Sequence, residues 1–237
     1  MDPKSYYNNK ISRDKEYERE RWFENDIKKS GYVMTREAIL SHIKLEKFSS
    51  CLELGPGAGT WTKEMIALNP EAKIDLVDIS GEMLGLCKKR FYKNKNLRYF
   101  ESDFLRYETE KKYDLFFSSR ALEYITDKEV TMKKIYGLLR KDGVGIIITK
   151  TPKYLRNKIL MRRVSDFHSG QVAPRKLRNI LKTIGFENIE IYPATVSSPV
   201  FCSAKMNLML FKLLSKYKLN FFSEFFSESY LIKFRKK

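Results

Sequence analysis

The feature that most limits what this chain can fold into is a change of period near residue 48. Before it, charged helix-forming residues carry a loose helical spacing of Trp22, Phe23, Ile27, Ile39, Leu40 and Ile43, which predicts two helices broken near Ser30-Gly31. After it, short apolar runs at Ser50–Leu54, Lys73–Val77, Leu97–Phe100, Tyr113–Phe117 and Val144–Thr149 alternate with helical stretches around Trp61–Leu68, Glu82–Phe91 and Lys128–Leu139. Strands alternating with helices mean repeated βαβ units, hence a parallel sheet wound right-handedly. Pro174–Ile184 then reads as a helix stopped by Gly185, and Phe186–Tyr192 as a strand. A further strand, Ser229–Phe234, follows a long excursion at Pro193–Glu228. The chain thus divides into N-terminal helices (1–48), an α/β core (49–192), a helical insertion rich in aromatic and basic residues (193–228), and a last strand with a basic tail (229–237).

The net charge of +17 is unevenly spread over these parts. Residues 1–50 carry eleven basic and nine acidic side chains, and residues 51–149 carry seventeen and fifteen. Residues 150–182 carry ten basic side chains against Asp166 alone, and residues 183–237 carry eight against four. The excess belongs to the C-terminal third and points to an anionic partner there: an acidic substrate, a membrane surface or nucleic acid. Cys51, Cys87 and Cys202 form no CxxC pair, and His42 and His168 are the only histidines, so neither a disulfide framework nor a metal site is expected. No stretch approaches the length of an apolar membrane span and the N-terminus has no apolar signal core, so the expected compartment is the cytoplasm.

At the end of the first strand stands Glu53-Leu54-Gly55-Pro56-Gly57-Ala58-Gly59-Thr60. Glycines there permit a sharp turn and close approach of the backbone to a ligand, at the strand end where open α/β sheets bind. The dinucleotide fingerprint wants glycine where Thr60 stands, and the triphosphate loop wants Gly-Lys-Ser/Thr, which is absent. Asp78 ends the second strand, where a carboxylate accepts ribose hydroxyls. Asp103 follows the third strand, where it can accept from an adenine amino group while Phe104 or Ile79 flanks the ring. Glu53, Asp78 and Asp103 therefore close three successive strands.

Taken together, the motifs ELGPGAGT, VDIS, SDF, YDLFFSSRALEYI and LLRKDGVGIIITK resemble those of the class I methyltransferases that use S-adenosylmethionine, over about residues 48–192 and the final strand. The resemblance is greatest to the small-molecule branch, including methyltransferases of quinone and glycan biosynthesis. It implies a Rossmann-like α/β fold, with a seven-stranded, mostly parallel sheet whose last strand is antiparallel. It also implies that Gly55, Gly57 and Gly59 pass under the methionine part, that Glu53 helps hold the ammonium directly or through water, and that Asp78 and Asp103 take the ribose and adenine. Ser119 and Arg120 would border the methionyl end, and S-adenosylhomocysteine would be the product. Relatives often use their first helices as a lid, a role open here to Tyr6, Tyr7, Tyr17 and Trp22.

Methyl transfer from a sulfonium is an in-line displacement, so a base is needed only for an acceptor that carries a proton. No Asn/Asp-Pro-Pro-aromatic motif follows the fourth strand, and no cysteine sits beside a proline there, which disfavours nucleobase methylation. Many relatives have histidine where this chain has Tyr124, which leaves two roles for it: lining the pocket, or assisting proton transfer with a depressed pKa. His168, in the polar segment Asp166-Phe167-His168-Ser169-Gly170-Gln171, is the better candidate base. No metal is required.

From Ala204 to Leu219, Met206, Met209, Leu210, Leu213 and Tyr217 recur at helical spacing, with Lys205, Lys212 and Lys216 on another face and Phe221, Phe222, Phe225 and Phe226 beyond. Such a helix can pack over the sheet edge, wall an apolar acceptor pocket, lie in a membrane interface, or form a partner or dimer interface. Lys153, Arg156, Lys158, Arg162 and Arg163, with Tyr154 and Phe167, make a second basic stretch that could track RNA phosphates. The expected function is methyl transfer to a small or lipid-linked acceptor, such as an oxygen of a glycan or quinone-like molecule, in the cytosol or at the inner membrane face. The alternatives are an RNA methyltransferase and a non-catalytic cofactor-binding module.

Overall fold

The computed structural model describes residues 2–13, 17–152, 169–198 and 203–237. His168 and the basic stretch from Lys153 to Phe167 lie outside the described residues. Seven strands form one sheet: β1 (Ser50–Leu54), β2 (Lys73–Asp78), β3 (Leu97–Glu101), β4 (Tyr113–Ser119), β5 (Leu139–Lys150), β6 (Phe186–Val196) and β7 (Ser227–Lys236), in spatial order β3-β2-β1-β4-β5-β7-β6. β7 runs antiparallel to both of its neighbours, and the remaining pairings are parallel. This is the Rossmann-like, mostly parallel seven-stranded sheet with an antiparallel last strand that the resemblance implied. The strand order reverses between β1 and β4, and that reversal opens a crevice at their carboxyl ends.

Helices cover both faces because strands in a parallel sheet are apolar on both sides. One face is covered by α3 (Asp26–Ile43), α4 (Thr62–Leu68), α5 (Gly81–Arg90) and α8 (Ala204–Leu214), whose Met34, Ile39, Met65, Cys87 and Phe211 enter one core. The other is covered by α6 (Lys128–Leu138) and α7 (Pro174–Ile184), with Met132, Ile135, Leu177 and Leu181. The stop at Gly185 has the expected cause, since its φ of 105° is a left-handed cap that closes α7.

Three differences from the sequence reading have physical reasons. The N-terminal helices are α1 (Pro3–Arg13), α2 (Tyr17–Trp22) and α3, and α3 runs unbroken through Ser30-Gly31. Ser30 is buried and returns its hydroxyl to the Ile27 carbonyl at 2.7 Å, so the helix tolerates it. The break falls instead at Asn25, whose side chain accepts from the Lys28 N–H and caps α3. β6 continues past Pro193 to Val196, because β6 is the edge strand and its register with β7 shifts beside Pro193. Finally, the helix predicted to Leu219 ends at Leu214, and its inward face is Asn207, Phe211 and Leu214 rather than the methionine stripe. A short α9 (Phe221–Phe226), capped by Asn220, leads into β7.

Candidate active site

A cavity of about 450 Å³ opens at the carboxyl ends of β1, β2 and β4, under the N-terminal helices. Gly55, Gly57, Asp78, Ile79, Asp103, Phe104, Ser119, Arg120 and Tyr124 all line it, so the residues read from sequence do converge. Glu53 and Gly59 stand behind this wall. Gly55 turns with φ 70° directly beneath Ala121, and a Cβ there would meet the Ala121 Cβ at 2.4 Å. Gly59, at φ 80°, serves packing instead, because a Cβ would strike the Phe91 ring at 2.5 Å.

Asp78 is held by two backbone donors, with the Gly57 N–H on one carboxylate oxygen and the Ser80 N–H on the other, both at 3.0 Å. Each oxygen keeps a lone pair for a vicinal diol, which is the fit a ribose requires. Burial raises the Asp78 pKa to about 6 against the pull of those N–H groups. Glu53 is buried and accepts from the Thr62 hydroxyl at 2.7 Å, and burial raises its pKa to about 8. A carboxyl in that state is poised to ionise when an ammonium comes near.

The roof comes from the first two helices. Asn8 accepts from the Ser80 hydroxyl at 2.6 Å, and Lys4 pairs with Glu101 at 2.7 Å. Glu18 of α2 accepts from the Thr60 hydroxyl at 2.7 Å and from Arg90 at 2.8 Å, which moors α2 on the glycine loop. Trp22 packs edge-on to Trp61 at 5.4 Å. Tyr7 and Tyr124 share a hydrogen bond of 2.7 Å between their hydroxyls. These contacts place Tyr7, Tyr17, Arg21 and Trp22 in the cavity wall.

Two readings change here. A depressed pKa for Tyr124 is not what this environment produces: burial, with the Glu123 charge beside it, pushes its phenol up to about 12. It remains a protonated hydrogen-bond donor. Arg21, which the sequence reading passed over, sits among Tyr17, Tyr7, Tyr124 and Glu123. Burial works against its charge, but those oxygens outweigh burial and raise its pKa. The signal available in sequence was the i, i+4 spacing of Tyr17 and Arg21, which puts both on one face of α2. A second guanidinium, Arg120, is buried with φ 68°, and its Nε and Nη1 have no hydrogen-bond partner among the described residues. No cluster of three or more metal-ligating side chains occurs among the described residues.

Residues 52–144 match a family described as a methyltransferase domain. That match spans 93 of the chain's 237 residues, and over this stretch the chain is similar to methyltransferases. Among similar proteins, the malonyl-[acyl-carrier protein] O-methyltransferase 1 of Ilyobacter polytropus is 35% identical over 98 residues, covering 41% of this chain and 37% of that protein. The trans-aconitate 2-methyltransferase of an Enterobacter species is 28% identical over 137 residues, covering 57% and 53%. The chain thus spans well under two thirds of the length of these relatives. Across the whole fold, a possible histamine N-methyltransferase from Thermotoga maritima superposes with a TM-score of 0.67 at 17% identity, over 98% of this chain and 99% of that one.

Proposed function

We propose that this protein transfers a methyl group from S-adenosylmethionine to a carboxylate oxygen of a small or carrier-linked acceptor. The observation that carries this is the convergence of the Arg21 guanidinium with the hydroxyls of Tyr7, Tyr17 and Tyr124 in the cavity wall. Burial raises the pKa of all three phenols, so each keeps its proton at neutral pH; one of the Tyr7 and Tyr124 protons lies between those two hydroxyls, which leaves the other and that of Tyr17 for an acceptor. A guanidinium flanked by neutral hydroxyl donors matches a carboxylate better than it matches a sugar hydroxyl or a ring ketone. The names of the malonyl-carrier and trans-aconitate relatives also describe acceptors with free carboxyls.

In this reading Asp78 holds the ribose and Asp103 the adenine. Glu53 faces the ammonium from behind the glycine turn, and Arg120 with Ser119 takes the methionyl carboxylate. That leaves Arg21 for the acceptor, since the cofactor brings one carboxylate and the cavity holds two guanidinium groups. Bound there, S-adenosylmethionine supplies a methyl group on a sulfonium, with a neutral thioether as leaving group. An ionised carboxylate brings its own lone pair, and its usual pKa of about 4 leaves no proton to remove at pH 7. Neither His168 nor Tyr124 then has to act as a base. The roles of Arg21 and the tyrosines are to orient the acceptor and exclude water. Oxygen remains the accepting atom, as expected from sequence, but on a carboxylate rather than on a glycan or quinone-like ring.

The test is incubation with methyl-labelled cofactor and separated small-molecule, acyl-carrier, lipid and RNA fractions, followed by mild alkali. A methyl ester releases its label as methanol, whereas ethers, amines and ribose methyls keep it. Alkali-stable label in a glycan, quinone or RNA fraction would overturn the carboxylate reading, and no label in any fraction would favour a binding module. Arg21→Met should raise the acceptor KM by about tenfold to a hundredfold, the loss expected for a charged hydrogen bond. Cofactor affinity should change little; a loss there instead would assign Arg21 to the methionyl end.

A further inference from the structure

The C-terminal helix α8 presents to solvent the side chains that an ordinary surface helix hides. Met209 and Leu213 are 66% and 62% exposed and Met206 is 37% exposed; beyond the helix, Tyr217 in the following turn is 65% exposed and Phe222 of α9 is 61% exposed. The inward face is already complete, with Phe211 and Leu214 in the core and Asn207 accepting from the Ser198 N–H at 2.9 Å. The outward stripe is therefore surplus to folding.

At about 100° per residue, Met206, Met209 and Leu213 fall within one narrow arc opposite Asn207 and Phe211. Lys205 and Lys212 lie four residues before and three after Met209, so they flank it on one side. Lys216 lies in the turn that follows α8. All three lysines are exposed, and none pairs with an acid among the described residues. α8 itself contains no acidic residue.

We infer that this face binds an anionic lipid surface, with Met206, Met209 and Leu213 entering the acyl boundary and Lys205, Lys212 and Lys216 meeting the headgroups. The charge is complementary, since α8 and the turn after it carry three lysines and no acidic residue. Lysine is the cation suited to the purpose, because its stem lies along apolar surface while its ammonium reaches the headgroup layer. Protein interfaces, by contrast, favour arginine and are depleted in lysine. The stripe is also a convex helix face rather than a groove, the shape that a fluid surface accommodates. No described helix is long and apolar enough to cross a membrane, so the contact is peripheral. This inference is independent of the acceptor.

The full chain is sedimented with vesicles of phosphatidylcholine containing phosphatidylglycerol, and with vesicles of phosphatidylcholine alone. Binding is expected to the anionic vesicles and to be much weaker on the neutral ones. Each lysine near the surface is worth about fivefold, so the triple variant Lys205→Gln, Lys212→Gln, Lys216→Gln should lose about a hundredfold. The double variant Met209→Gln, Leu213→Gln should lose about tenfold or more through its apolar contribution. Cofactor affinity, measured alongside, should be unchanged in both because no altered residue lines the cavity. Partitioning equal to wild type in both variants would overturn the inference, as would a failure of the wild-type chain to bind anionic vesicles. Loss in the lysine variant alone would reduce the contact to nonspecific charge and overturn insertion. A dimer in solution that Met209→Gln, Leu213→Gln dissolves would instead assign the face to a second copy of the chain.

Discussion

Asp78 sets the pH behaviour of the site. In the proposed reading its side chain accepts both ribose hydroxyls and must be a carboxylate to do so, and burial has lifted its pKa to about 6. The ionised form is present above that value and is lost as pH falls through it, while Glu53 already takes up its proton from about pH 8 downward, so cofactor affinity should decline as pH falls from about 8 and more steeply below about 6. Calorimetric titration across that range checks this; an affinity independent of pH would show that Asp78 does not bind the ribose as its anion. Arg21 and Tyr124 carry a further lesson at this scale. A side chain's identity says which chemistry it can perform, but its neighbours decide which protonation state it has, and here they keep the phenol protonated and the guanidinium charged.

Among the elements, glycines with the same composition signal act in opposite ways. Gly31 lies inside α3 with nothing within 4 Å of where a Cβ would stand. Gly31→Ala should therefore stabilise the protein by about 0.5–1 kcal/mol, by raising helix propensity and reducing the freedom of the unfolded chain. Gly59 has φ 80° and Phe91 at 2.5 Å from the same notional atom, so Gly59→Ala should destabilise it by about 1–3 kcal/mol. Urea unfolding of the two variants checks both signs. The parallel strands were legible because burial on both faces makes them continuous apolar runs, as at Leu115–Phe117 and Ile146–Ile148. The orientation of α8 was not, because Leu208, Met209, Leu210, Phe211, Leu213 and Leu214 place apolar side chains on almost every side. Periodicity names an apolar face only when the opposite face is polar.

For the whole molecule, the ends of the chain are joined across the sheet. Glu46, in the loop between α3 and β1, pairs with Lys233 at 2.5 Å and Arg235 at 2.9 Å, both on β7. Lys233 and Glu46 are mostly buried, so Glu46→Ala would leave an ammonium in the interior without its acid. We expect a loss of about 3 kcal/mol in urea unfolding, largely recovered in the double variant Glu46→Ala, Lys233→Met, because removing both charges removes the desolvation cost as well. A double variant no better than the single one would mean that packing, not charge, holds this junction.

What the sequence by itself determined is the α/β alternation, the glycine turn after the first strand and the acidic residues ending three strands. These are local properties, since a strand end and a tight turn depend on residues close together in the chain, and once the sheet is parallel its carboxyl ends must meet. Only the tertiary structure decided that Arg21 reaches the cavity beside Tyr7 and Tyr124 and that the methionine stripe of α8 faces outward. Both depend on how a helix rolls and seats on a distant surface, with α2 held by Thr60 and Arg90 through Glu18 and α8 by Phe211 and Leu214 in the core. Contacts between residues far apart in the chain are fixed by packing, which no local pattern specifies.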